Sequence, residues 1–187
     1  MNTDKPRFKW LALSAQLSAL GLILSACSLP APQADAVRYF TLSDASAGAA
    51  VPDAVSVRPV RLAGHLRNRA MAVRVSENEV VYLDDVRWAE PLDEAVTQML
   101  RNRLRQVAGG AAVTVQVQRC ELVRYENNSV QLTATFVVAP AAGEPRPGAF
   151  AATPRKWDGQ DHGALVGLLH AAVAELAEAI AQSAAQK

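Results

Sequence analysis

The sequence predicts an α/β (or α+β) domain, a mixed β-sheet carrying two main amphipathic helices. Three observations carry that expectation. Short runs rich in Val, Thr and aromatic residues alternate apolar with polar positions, as half-buried strands do. Two segments, Leu92–Val107 and Leu165–Ile180, repeat apolar residues at helical spacing. Strand patterns flank the first of these segments on both sides, and no internal repeat interrupts the order.

The chain opens with a basic head of Lys5, Arg7 and Lys9, then runs apolar from Trp10 to Ile23, broken only by Ser14, Gln16 and Ser18. Leu24-Ser25-Ala26-Cys27 follows at once. This is the order of a secretory leader, and the apolar run is too short to span a bilayer. Its ending resembles the lipobox of bacterial lipoproteins, where small residues admit the peptidase and the Cys thiol takes up lipid. That resemblance implies that residues 1–26 are a cleaved lipoprotein signal peptide. Cys27 is then the first residue of the mature chain, carrying covalent diacylglyceryl and N-acyl lipid and no other cofactor. An ordinary cleaved signal peptide and a short uncleaved anchor are the competing readings. Each buried methylene contributes about 0.8 kcal/mol, so one acyl chain holds a protein marginally while two or three hold it almost permanently.

Residues 27–36, rich in Ser, Pro and Ala, read as a flexible tether, and residues 37–187 as a single domain. Val37–Leu42 has the composition of a first strand, followed by a small polar loop at Ser43–Asp53. Val55, Val57 and Val60 alternate as a strand, with Pro59 marking a sheet edge or the strand's end. Arg61–Arg69 reads as a basic loop. Met71, Val73 and Val75, a turn at Glu77-Asn78, and Val80–Leu83 make a hairpin. Pro91 suits the first helical position, Asp93 and Glu94 the first turn, and Arg101, Arg103 and Arg105 the last. Leu92, Val96, Met99, Leu100, Leu104 and Val107 fall on one face, and Gly109-Gly110 stops the helix.

Two long runs, Val113–Tyr125 and Val130–Val138, are joined by a polar Asn127-Asn128 turn and read as a second hairpin. Ala139–Gly148, with three prolines and two glycines, reads as a loop, and Ala149–Trp157 as a final strand. Gly163–Gln182 is the second helix, with Asp161 as its N-cap.

Half of the 187 residues are hydrophobic, which excludes a disordered chain. Removing the leader leaves 161 residues, 16 basic and 17 acidic, a net charge of −1 with His neutral. A near-neutral domain has no electrostatic case for nucleic acid. With Cys27 lipidated, Cys120 has no partner in the chain, so the fold stands on its core alone; Cys120 reads as a small buried hydrophobe.

No catalytic constellation is legible. His65, His162 and His170 stand apart in sequence and none has metal-ligand spacing with Cys, Asp or Glu. Asp158 and Asp161 beside His162 are explained as a helix start. There is no phosphate-cradling Gly loop and no Gly-x-Ser-x-Gly elbow. Asp84-Asp85, adjacent on a strand end, point to opposite faces.

Val55–Leu62, Leu66, Met71 and Trp88-Ala89-Glu90-Pro91-Leu92 before an amphipathic helix resemble the PqiC/YmbA-type family of ABC-transport auxiliary lipoproteins. Tyr39–Leu42 after the tether matches that family's opening strand. Ala63 and His65 stand where the family often has proline and an aromatic before the leucine. The resemblance implies a fold similar to the TolB N-terminal domain and a non-catalytic part in moving lipids or other hydrophobic molecules between two membranes. The implied partners are the membrane through its lipid anchor, a periplasmic MCE-domain protein and, indirectly, an ABC permease and ATPase, with self-association open. Ser28, rather than Asp, after the lipidated Cys implies delivery to the outer membrane, facing the periplasm. Tyr39, Leu42, Leu66, Trp88, Glu90, Pro91 and Leu92 are the motif residues, and Trp88 and Leu92 have a plain structural reading: they pin helix to sheet. A structural lipoprotein without a transport role and a secreted enzyme are the other function classes.

Overall fold

The computed structural model describes residues 36–42 and 49–186. The leader, Cys27, Ser28 and all but the last residue of the tether lie outside this set, as does most of the loop expected at Ser43–Asp53. In chain order the elements are β1 (Arg38–Phe40), β2 (Ser56–Val57), β3 (Arg61–Leu62), a 3-10 turn (Gly64–Arg67), β4 (Ala70–Ser76) and β5 (Glu79–Trp88). Then follow α1 (Leu92–Leu104), β6 (Ala112–Val123), β7 (Ser129–Ala139), β8 (Arg146–Ala151), β9 (Arg155–Lys156) and α2 (His162–Ala185). The expected class holds: a mixed nine-stranded sheet with two α-helices among the described residues.

Strand β6 is the spine of the sheet. Along one edge it pairs antiparallel with β7 over its whole length. Along the other it receives β2, β3 and β4 in turn, all parallel, at Ala112-Val113, Gln116-Val117 and Leu122-Val123. The order across the sheet is β1-β5-β4-β6-β7-β8. A register shift between Val117 and Arg119 divides β6. Before it Val113, Val115 and Val117 are buried; after it the buried set switches to Cys120 and Leu122. Their partners on β7 (Val138, Phe136, Ala134, Leu132 and Val130) are all buried without interruption, so the extra residue on β6 resets its parity against a regular neighbour.

Both helices join one core. Leu92, Val96, Met99, Leu100 and Leu104 of α1 and Leu165, Leu169, Val173, Leu176 and Ile180 of α2 are buried with the inward residues of β6 and β7. Helix α2 is long and apolar enough to cross a membrane, but this buried stripe against the sheet accounts for its hydrophobicity. Among the described residues, every residue of the buried core lies between Leu42 and Ile180. Asp161 caps α2, its carboxylate accepting from the N–H groups of Gly163 (2.9 Å) and Ala164 (3.2 Å).

Several boundaries differ from the sequence expectation. Pro91 is the N-cap of α1 rather than its first helical residue, with φ −55° and ψ 130°. The helix ends at Leu104, before Val107 and the glycine pair. Gly109 and Gly110 instead donate their N–H groups to the carbonyl of Asp53 (3.0 and 2.7 Å), Gly110 with φ +60°. The strand expected over Val55–Val60 is broken at Pro59 into β2 and β3, so Arg61-Leu62 is strand rather than loop. Strand β5 continues through Trp88. Pro147 and Gly148 lie in β8, because an edge strand tolerates a residue with no N–H to donate.

Candidate functional site

The motif residues converge on the junction where β5 turns into α1. Trp88 closes β5 and Leu92 opens α1, and both are buried in the core together with Leu42 and Leu66. The junction is tied on both flanks: the Trp88 N–H donates to the Arg69 carbonyl and the Ala89 N–H to the Phe40 carbonyl, each at 2.8 Å. Pro91 is exposed, and its carbonyl receives the Ala95 N–H at 3.1 Å. Glu90 is half-buried at the rim of a shallow open depression shared with Pro59, Asp93, Glu94 and Arg101. Tyr39, on β1, is also outside the core, 54% exposed.

Helix α1 is fastened over the β2–β3 break by two side chains four residues apart. The Thr97 hydroxyl accepts the Val60 N–H at 2.9 Å and donates to the Asp93 carbonyl at 2.6 Å. The Arg101 Nε donates to the Val57 carbonyl at 3.1 Å. These bonds satisfy backbone groups that Pro59 takes out of the sheet ladder. A threonine in the middle of an apolar helix stripe was the available signal.

A second cluster was not legible in sequence. Glu121 is a fully buried carboxylate in the middle of β6. Because of the register shift it points to the face of the sheet away from the helices. There Oε1 accepts from Arg74 Nε at 2.6 Å, and Oε2 lies 3.1 Å from His65 Nε2. Arg74 also donates to the Glu77 carbonyl at 3.0 Å, and the Tyr82 hydroxyl donates to the His65 carbonyl at 3.0 Å. The group binds the 3-10 turn to β4, β5 and β6. Two partners are the minimum for such a charge, since an unpaired buried carboxylate is strongly unfavourable.

The histidines read as standing apart are therefore in contact with other groups. His65 meets Glu121, and the His162 ring lies 5.3 Å from that of Trp157 and 6.5 Å from that of Phe40, centroid to centroid. Cys120 is buried as expected; burial, with Glu121 beside it, pushes its thiol up to about 12, which leaves no thiolate at neutral pH. Among the described residues no group of three or more His, Cys, Asp or Glu could hold a metal. What the geometry shows at these positions is packing and internal hydrogen bonding.

No curated protein matches the chain. Two solved structures are similar in fold. One, a crystal structure of an uncharacterized protein, has a TM-score of 0.62 at 17% identity, covering 78% of this chain and 96% of its own. The other, a crystal structure of a Xanthomonas campestris protein of the family DUF330, has a TM-score of 0.59 at 13% identity, covering 70% and 83%. The family model of the ABC-type transport auxiliary lipoprotein component matches residues 40–122, from the edge strand β1 to near the end of the spine β6, and so takes in the Trp88–Leu92 junction, the α1 fastening and the Glu121 cluster. Over those residues, somewhat under half of the chain, the sequence is similar to the family of ABC-type transport auxiliary lipoprotein components.

Proposed function

We propose that this chain is a non-catalytic lipoprotein, anchored in the outer membrane through lipid on Cys27 and facing the periplasm. In this reading it docks a periplasmic MCE-domain partner of an ABC-type system that moves lipids or other hydrophobic molecules. The observation that carries the reading is the family match over residues 40–122 joined to the Leu24–Cys27 ending of the leader. Ser28 favours outer-membrane delivery. The ABC permease and ATPase act at a distance, through the MCE partner.

Co-purification in detergent from the native envelope tests the partner, and recovery of an MCE-domain protein is the expected result. Clean failure to recover one would turn the reading toward a structural lipoprotein. Intact mass of the mature chain tests the anchor: the added mass of diacylglyceryl and N-acyl groups on Cys27 is expected. Cys27→Ser should abolish attachment and leave the fold intact, with leader cleavage checked by mass.

A further inference from the structure

Between Asp53 and Glu77 the chain has no acidic residue, while Arg58, Arg61, Arg67, Arg69 and Arg74 are spread through it. Arg74 is taken up by Glu121. The other four are exposed and form no ion pair among the described residues. Arg61 lies on the side of the sheet away from the helices, since its neighbour Leu62 is buried in the core and its register partner Gln116 is exposed. The 3-10 turn bearing Arg67 sends Leu66 into the core, while its His65 reaches round to Glu121 and Tyr82 on that side. Arg87, exposed between buried Val86 and Trp88, is the register partner of both Ala70 and Tyr39. Arg87 and exposed Tyr39 therefore share one side of the sheet, on the strand that directly follows the tether. Asp84, Asp85 and Glu90 are the acidic residues within three positions of Arg87, and none of them forms an ion pair with it among the described residues.

Chain length adds the second argument. From Cys27 to Ala36 there are nine peptide steps, a reach of at most about 32 Å. A domain held that close to a bilayer must turn some face toward it. We propose that Arg61, Arg67 and Arg87, with Tyr39, lay the helix-free side of the sheet against the anionic phosphate headgroups around the anchor. This rests on the reading of Cys27 as lipidated. Guanidinium groups pair with phosphate in fixed two-pronged geometry. Tyrosine favours the membrane–water boundary. With three acyl chains already holding the protein, the patch orients the domain on the surface rather than retaining it there.

The test uses the unlipidated chain from Ser28 to Lys187, which contains every core residue among those described, so that its outcome does not depend on Cys27. It is sedimented with phosphatidylcholine vesicles and with vesicles in which about a third of the lipid is phosphatidylglycerol. Binding is expected to the anionic vesicles alone and to fall steeply with salt. Each arginine near the surface strengthens binding about fivefold, so Arg61→Gln, Arg67→Gln and Arg87→Gln together should weaken it about 100-fold with an unchanged melting temperature. Equal retention on both vesicle types, or a triple variant that binds like the parent, would overturn the proposal. So would a parent that ignores vesicles while the triple variant loses a protein partner, because the face would then be a protein-docking surface. Failure of the lipidation reading shows separately, as an unmodified Cys27 by mass.

Discussion

Glu121 concentrates the chemistry of this fold in one side chain. Taking a carboxylate out of water is tolerated here because Arg74 and His65 reach it from two different segments. Removing one partner of a buried pair leaves the other charge uncompensated, which typically costs 3–5 kcal/mol. Arg74→Ala is therefore expected to lower the stability to urea by about 3 kcal/mol, since His65 still meets the second oxygen. A loss under about 1 kcal/mol would mean that the carboxylate finds water instead. The adjacent Cys120 gives a pH signature. Its thiol is raised from an ordinary value near 9 to about 12 by burial and by Glu121. A raised folded value means that the stabilisation is complete below pH 9 and is lost as pH climbs toward 12, because only the unfolded chain gains by ionising. At about pH 10.5 the parent should have lost about 2 kcal/mol more than Cys120→Ala, relative to each at pH 8, by chemical denaturation. Below pH 9 the two should vary with pH in parallel.

At the scale of elements, the stability of the sheet depends on where regularity is broken. The parity reset in β6 and the break at Pro59 each create polar groups that other elements must satisfy, Glu121 in one case and the Val60 N–H in the other. The edge strand β8 shows the reverse, a residue type chosen for closeness. A Cβ on Gly148 would lie 2.4 Å from the Phe136 ring, which is buried on the neighbouring strand. Gly148→Ala should thus push Phe136 off its site and cost about 1–3 kcal/mol. A thermal melt within one degree of the parent would show that the ring moves freely. Both hairpins, the apolar stripes of the helices and the Asp161 cap were legible in sequence, because each depends on neighbours within one turn or one strand. The β2–β3 break and the Pro147–Gly148 strand were not, since a proline reads as loop until the sheet edge that accepts it is known.

At the scale of the whole molecule, every buried core residue among those described lies between Leu42 and Ile180. A chain starting at Ser28 should therefore unfold in one cooperative step with the same midpoint as the full chain in detergent. Two separated transitions would show that the segment before Ala36 contributes structure of its own. The motif residues also sort themselves at this scale. Leu42, Leu66, Trp88 and Leu92 meet in a single core although they span fifty-one positions of sequence, whereas Tyr39 faces outward.

The sequence by itself determined the class of the fold, its two helices and hairpins and the family motifs, because alternation, helical spacing and capping are local properties of a chain. Only the tertiary structure decided which way Glu121 points, what holds the Arg61–Arg69 segment, and that Arg61 shares the helix-free side of the sheet with Arg87 and Tyr39. Those outcomes turn on one extra residue in β6 and on strands paired across dozens of positions. Long-range pairing of that kind leaves no trace in any short window of residues.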